Sequence, residues 1–500
     1  MAQRAILVNR SRLPQQAGSA LVWKSIELGG VKLIFLVRIL VLGRLLAPED
    51  FGLFAISVIA VGFLLSVTDF GMTQALVQRP ETEARFLDAG WTVNIIRALA
   101  VGAVVIVGAP LIAHLFDEPR ATDLIRVLAF QPVLNAAASI RLIELIRDLR
   151  FRELVILGLA GAIINTVVSI ALVKPLGMWA LVAGPLAGST VHMAGSYLVA
   201  PHRPRLSFAV ESVGSLFRYG RWIFLTALCV VTGNLVLQVV ISRRLGVDDL
   251  GLYFLASRLA FLPAEVSAQV AGAIAFPLYS RLQANLAGAV RAFRSMLQGM
   301  AVVLVPASLL IAVLADSLVQ NVLGVKWEGT QLLIAILACT NVVGLLGEAV
   351  VPVLKGTGHP QKQTLLQFVL SAMLILFVWT LAGSYGVVAA ALAWILAVGI
   401  NQIFAFIFVR QILVRPLAGL APFLFAILTA STAGVAVAWS VEALLPGMLG
   451  LMLSMGLALS VTGLVVWSLD RRLGLGLAAD MARAYPPIAP LLGMGAEVTT

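Results

Sequence analysis

The sequence predicts an all-α integral membrane protein of about fourteen transmembrane helices. They form two six-helix lobes related by a parallel internal repeat, plus two C-terminal helices. Three observations predict it. The 500 residues are 60% hydrophobic and only 12% charged, with a mean hydropathy of +1.01. A soluble domain carries about 25% charged residues, and half that cannot cover a water-facing surface of this size. The apolar residues fall in runs of about 20, the length that crosses a bilayer core as a helix. A loop motif near the start of the chain returns 199 residues later at an equivalent junction.

Taken in order, residues 1–18 form a basic cytoplasmic N-terminus with Arg4, Arg10 and Arg12 ahead of the first apolar run. That run continues to about residue 45 without a small-residue cleavage site, so it reads as an uncleaved first helix. The first lobe, 19–200, holds spans at 19–43, 51–76, 88–114, 122–146, 153–173 and 178–200. A polar cytoplasmic linker, 201–216, leads to the second lobe, 217–409. Its spans are 217–242, 250–276, 293–315, 329–353, 363–383 and 386–409. A last pair, 417–440 and 447–468, lies within 410–469, and 470–500 is a cytoplasmic tail.

Orientation follows from Lys and Arg in the short loops. With the N-terminus in the cytoplasm, the inner segments carry twenty-two of them. The outer loops carry six: Arg44, Arg120, Lys174, Arg243, Arg244 and Lys326. The bias favours the same side at every second loop, an alternation that one missed helix would break, and both termini come out cytoplasmic. The net charge of +11 sits in these short clusters rather than on one basic face, which argues against a nucleic-acid partner.

The repeat is visible at two junctions. Arg44, Glu49, Asp50, Gly52, Leu53 and Phe54 return as Arg243, Asp248, Asp249, Gly251, Leu252 and Tyr253. A weaker match aligns Gly177 with Gly386, 209 residues on. Six helices lie between equivalent points, an even number, so the halves share one orientation and are related about the membrane normal. Parallel repeats of this kind are a standard transporter plan.

An ionisable side chain at membrane depth costs about 2.5 kcal/mol or more, so it usually faces a cavity or a partner. The first helix carries Lys24, Glu27, Lys32 and Arg38 within a sector of roughly 140° on an otherwise apolar surface. Such a stripe reads as lumen-facing; the alternative, for Lys24 and Arg38, is snorkelling to opposite interfaces. Asp69, Arg97, Arg258, Glu265 and Glu348 are further charges inside spans. Arg97 either lines a cavity or pairs with Asp69. Arg258 and Glu265, seven apart, share a face. Arg141 and Glu144 form an i,i+3 pair of structural type. Asn234 and Gln238, four apart, either line a polar path or join helices. Gly184 and Gly188 make a small-xxx-small packing motif.

The four histidines are scattered without ligand spacing, so no metal is expected. Cys229 and Cys339 make no disulfide framework. With no nucleotide-binding loop or nucleophile elbow, neither a cofactor nor an enzyme activity is expected.

The stretch Leu45–Ile56, the segments Asp69-Phe-Gly-Met and Ala75–Arg79, Arg150-Phe-Arg152 and Gly177–Leu181 resemble the polysaccharide-exporter, or repeat-unit flippase, family. That family sits in a superfamily with multidrug/toxin extrusion pumps and the peptidoglycan-precursor flippase. The resemblance covers about residues 15–415. It implies two six-helix lobes around a V-shaped cavity lined by helices one, two, seven and eight. It also implies flipping of undecaprenyl-diphosphate-linked oligosaccharide across the bacterial inner membrane, for lipopolysaccharide or exopolysaccharide synthesis, beside a polymerase and export machinery. On that view Lys24, Lys32, Arg38, Arg258, Asn234 and Gln238 bind substrate, while Glu27, Asp69 and Glu265 are the coupling candidates. A drug/cation antiporter of the same superfamily would need a mainly acidic cavity, whereas the first helix is net basic. A membrane polymerase or ligase would need a large outer loop, and the longest here is roughly a dozen residues.

Overall fold

The computed structural model describes residue Trp23 and residues 26–27, 29–68, 84–148, 150–207, 214–282 and 285–473. Among these the chain is almost wholly helical and contains no strand. Helix α1 covers 29–45. It is followed by α2 (Pro48–Val67), α3 (Ala84–Leu115), α4 (Ala121–Leu128), α5 (Phe130–Ala136), α6 (Leu142–Arg147), α7 (Phe151–Leu176) and α8 (Ala180–Val199). The later helices are α9 (Gly214–Leu245), α10 (Val247–Ala260), α11 (Leu262–Arg281), α12 (Leu286–Val313), α13 (Thr330–Gly356), α14 (Pro360–Tyr385), α15 (Val388–Ile412), α16 (Ala421–Leu444) and α17 (Met448–Leu473). Ten helical stretches among the described residues are long and apolar enough to cross a bilayer. One of them, Phe151–Val199, is α7 and α8 in succession, and α1, α4–α6 and α10–α11 occupy further expected spans.

Two expected single spans are broken. The run 122–146 divides into α4, α5 and α6, so Arg141 stands just before α6 rather than inside one continuous helix. Pro132 removes a donor in α5, and α8 binds the backbone freed at the second break. The Ser139 amide donates to Ser196 Oγ at 2.8 Å, and Tyr197 Oη donates to the Ala137 carbonyl at 2.7 Å. The run 250–276 breaks at Phe261, where Pro263 cannot donate back into α10.

The chain divides into two compact units. The first comprises Met1–Leu46 and Leu53–Phe224; the second comprises Ala47–Gly52 and Leu225–Thr500. The first turn of α2 therefore clusters with the second unit. There it meets the start of α10, and Phe51 stacks edge-on against the fully buried Trp327 with ring centroids 5.2 Å apart. Asp50, the third residue of α2, accepts from the Ala47 amide at 2.9 Å and so satisfies the N–H at the helix start. Its repeat counterpart, Asp249, sits in the first turn of α10. Burial raises the pKa of the Asp249 carboxyl from its ordinary value, and the charge of Asp248 adds to the shift.

Each unit contains the same parallel helix pair. In the first, α1 meets α7 through Gly30 against Leu159 and Arg38 against Asn165. In the second, α9 meets α14 through Thr226 and Thr364 at 2.9 Å, Gly233 against Ser371, and Arg244 donating to the Trp379 carbonyl at 2.8 Å. The partners advance together along both pairs, so each pair is parallel. Both pairs join the first and fifth spans of a repeat. Each fifth span also ends on a left-handed glycine: Gly177 with φ 54° and ψ −129°, Gly386 with φ 55° and ψ −142°.

Loop contacts join ends assigned by charge to the same side. Arg205 and Ser207 of the linker donate backbone N–H groups to Asp88 and Thr92 of α3, and His202 lies 3.1 Å from Asp88. Arg294 donates to the carbonyls of Arg415 and Pro416, and Lys362 to Gln411. In the second unit a buried cluster including Phe293, Leu304, Val353, Phe408 and Phe423 ties α16 to α12, α13 and α15.

Candidate functional site

A polar seam in the first unit runs along one face of α7. Gly158, Gly161 and Asn165 are spaced i, i+3, i+7, so they lie one above another. Each receives a group from a neighbouring helix. The carboxylate of Glu27, on the segment preceding α1, rests against Gly158: a β-carbon there would lie 3.5 Å from its Oε1. His192 of α8 rests at Gly161, its Cβ 3.7 Å from where a β-carbon would stand. Arg38, only 6% exposed, donates from Nη1 to Asn165 Oδ1 and lies 5.7 Å from the Phe35 ring centroid.

Small residues make this seam possible. A β-carbon on Gly188 would fall 2.7 Å from the Gly161 carbonyl oxygen, and one on Gly184 would fall 1.9 Å from Ser169 Oγ. The Gly184–Gly188 motif thus sets the close approach of α8 to α7. That approach fixes Asn165 where it can receive a guanidinium.

Of the other expected substrate-binding residues, Lys32 is half-buried on α1. In the second unit, Asn234 turns its amide onto its own helix and donates to the Val230 carbonyl at 2.9 Å. Gln238, one turn on, has a buried Oε1 without a hydrogen-bond partner among the described residues. Arg258 and Glu265 do pair, at 3.9 Å, across the α10–α11 break, and Arg258 also stands over Phe254. Both side chains are more than a third exposed, so the pair is loose and screened. Arg97 donates to Asn94 one turn earlier. Lys24 and Asp69 lie outside the described residues.

Sequence reasoning missed Asn165 and His192. The available signal was their spacing with two glycines on an apolar helix pair, but nothing local names Glu27 or Arg38 as the partners. Against α7 the seam gathers the Glu27 carboxylate from the segment preceding α1, the Arg38 guanidinium from α1 and His192 from α8. It can hold charge, and among the described residues it contains no paired nucleophile and base.

Residues 41–331 match the family model described as polysaccharide biosynthesis protein. The chain belongs to that family. Among curated relatives, it is 26% identical over 338 residues to the succinoglycan biosynthesis transport protein ExoT of Rhizobium meliloti, covering 67% of this chain and 68% of the relative. It is 25% identical over 341 residues to the lipopolysaccharide biosynthesis protein WzxC of Escherichia coli, with 67% and 68% covered. Among solved structures, the lipid II flippase MurJ in an inward closed conformation superposes with a TM-score of 0.70 at 14% identity, over 91% of this chain and 99% of that one. An inward-facing multidrug resistance MATE transporter gives 0.60 at 17% identity, over 78% and 97%. At these identities the structural likeness speaks for the fold alone. This family member thus combines a multi-pass helical transporter fold with relatives named for polysaccharide biosynthesis.

Proposed function

We infer that this protein flips undecaprenyl-diphosphate-linked oligosaccharide repeat units across the bacterial inner membrane during lipopolysaccharide or exopolysaccharide synthesis. The observation that carries the reading is the family match on a chain whose first helix presents basic side chains at membrane depth. A diphosphate is the part of such a substrate that every repeat unit shares, and cationic side chains in a low-dielectric surround bind it strongly. Sugars vary, and uncharged polar groups tolerate them.

In this reading Lys32 and Arg38, the latter bonded to Asn165, hold the diphosphate, and Lys24 belongs to the same binding set. Arg258, Asn234 and Gln238 supply the corresponding polar groups in the second unit. Glu27, Asp69 and Glu265 are the carboxylates available for ion coupling. Both termini lie in the cytoplasm, and a polymerase outside consumes the flipped units.

The test is surface polymer in a strain depending on this protein, together with flipping of a lipid-linked oligosaccharide in proteoliposomes. Lys32→Ala and Arg38→Ala should each abolish polymer while the protein remains in the membrane. Normal polymer and normal flipping in both would remove them from the binding site. Transport of organic cations with no flipping would favour the antiporter reading instead.

A further inference from the structure

We propose that Asn341 is a positioning residue for transport: it holds the Ala260 carbonyl at the α10–α11 break and so sets the contact of Arg258 with Glu265 across it. The inference rests on the transport reading above, in which Arg258 binds substrate and Glu265 is a coupling candidate. It adds the residue that brings the two together.

Helix α10 ends at Ala260 and α11 begins at Leu262. Pro263 has no N–H, so it cannot donate to the Leu259 carbonyl one turn back. At membrane depth no water satisfies a carbonyl at such a break, and its partner has to come from the protein. For Ala260 the partner comes from the middle of α13: Asn341 Nδ2 donates to its oxygen at 2.7 Å. The same nitrogen donates to Ser308 Oγ of α12 at 3.2 Å, so one amide ties α13 and α12 to the break. Asn341 is only 6% exposed and Ser308 is fully buried. A buried amide is costly unless it is hydrogen-bonded, and this one is bonded to the break.

A further helix grips the same place. Trp394 of α15 donates from Nε1 to Tyr253 Oη of α10 at 2.8 Å. Its ring meets Phe261 edge-on, with centroids 5.4 Å apart. Phe261 is the residue between α10 and α11. The indole therefore fixes α10 and the break residue against α15, while the Asn341 amide fixes the last carbonyl of α10 against α13.

The break decides which charges meet. Arg258 and Glu265 are seven residues apart, about two turns and about 10.5 Å of rise in an unbroken helix. That is beyond the i,i+3 and i,i+4 spacings at which side chains of one helix are neighbours. Here Arg258 Nη1 lies 3.9 Å from Glu265 Oε1, one residue ahead of the break and the other beyond it. Their separation depends on the angle between α10 and α11, which the Asn341 bond stabilises. Discontinuous helices with facing polar groups are how transporters build substrate and ion sites near mid-membrane. A residue that holds the discontinuity thereby acts on the site through Arg258 and Glu265, without touching substrate itself.

One measurement needs no substrate. Nitroxide labels at Asp248→Cys on α10 and Gln269→Cys on α11, both exposed positions, report the distance across the break in the full chain in nanodiscs. Cys229 and Cys339, the native cysteines, are replaced by Ala. Asn341→Leu should shift or broaden that distance, and Glu265→Gln should leave it in place, because the amide and not the ion pair holds the break. An Asn341→Leu distribution equal to the parent's overturns the proposal, as does a shift in Glu265→Gln as large as in Asn341→Leu. Asn341→Ala, which also lacks the donor, is read in the same way should the leucine variant fail to reach the membrane. The second measurement is flipping of a lipid-linked oligosaccharide in proteoliposomes over a range of substrate concentrations. Asn341→Leu should raise the half-saturating concentration about tenfold, the scale of one lost hydrogen bond in a buried site, and Arg258→Ala should raise it too. A lower maximal rate at unchanged half-saturation is what a loss of folded protein gives, and it overturns the positioning role. If wild type flips no lipid-linked oligosaccharide while Asn341→Leu moves the label distance, the transport reading fails and the hold on the break stands.

Discussion

Gly52 and Gly251 are packed reciprocally. A β-carbon on Gly52 would fall 2.1 Å from the Val247 carbonyl oxygen, and one on Gly251 would fall 1.8 Å from the Pro48 carbonyl oxygen. Pro48 and Val247, like the glycines themselves, stand 199 residues apart. The contact is therefore symmetric within the second unit, each repeat motif pressing its glycine on the other's first helical turn. Both obstacles are backbone, which cannot swing aside. Gly251→Ala should lower the melting temperature of the detergent-solubilised protein, at an overpacking cost of about 1–3 kcal/mol. Gly62→Ala, where a β-carbon meets nothing within 4 Å, serves as the control. Equal melting of the two variants would show that the junction yields without cost.

The Asp249 carboxyl sits at the same junction, outside the apolar spans. Its folded-state pKa is raised by burial and by Asp248. A raised carboxylate is least costly below its unfolded pKa, and stability is lost as pH climbs through the folded value. Asp249→Asn removes that loss. The variant should melt above wild type at pH 8, with the gap closing as pH falls toward 4. A gap that widens on acidification would reverse the assignment.

The bond from Arg38 to Asn165 joins helices 127 residues apart in sequence. Asn165→Leu leaves a buried guanidinium without that acceptor, a loss of about 1.5–3 kcal/mol for a hydrogen bond to a charged group. Asn165→Asp keeps an acceptor. Thermal melting should rank wild type and Asp above Leu, and flipping should follow the same order. A leucine variant as stable as wild type would show that Arg38 has other sufficient partners.

Asp88 straps the linker to α3 through the Arg205 amide and His202. Asp88→Ala should speed trypsin cleavage after Arg205 in inside-out vesicles, with Thr92→Val adding to it because Ser207 loses its acceptor. Cleavage at wild-type rates in the double variant would mean that packing alone holds the strap.

Topology can be checked directly. Reporter fusions after residues 85, 152, 212, 290, 360, 412 and 475 should read cytoplasmic, and those after 47, 118, 176, 247, 322, 384 and 445 external. One inverted pair in mid-chain would overturn the helix order and the parallel repeat with it.

The sequence by itself determined the membrane class, the all-helical fold, the recurrence of the Arg44–Phe54 motif at Arg243–Tyr253 and the common face of Arg258 and Glu265. Hydropathy, loop charge and residue spacing are properties of neighbours along the chain, and they carry these features without reference to tertiary contacts. The Gly177 and Gly386 match was legible for the same reason: a helix end that needs a positive φ favours glycine wherever it recurs. Only the tertiary structure decided that Arg38 is bonded to Asn165, that Glu27 stands at Gly158 and His192 at Gly161, and that Gly52 and Gly251 press on each other's helices. Those relationships depend on the rotation and depth of different helices, from 31 residues apart for Gly161 and His192 to 199 for Gly52 and Gly251. In lipid an apolar helix face is satisfied at almost any rotation, so local sequence leaves the angle open until small residues such as Gly184 and Gly188 let one backbone close on another. The break at Ala137–Ser139 follows the same logic, because the groups that satisfy it, Ser196 and Tyr197, come from a different helix.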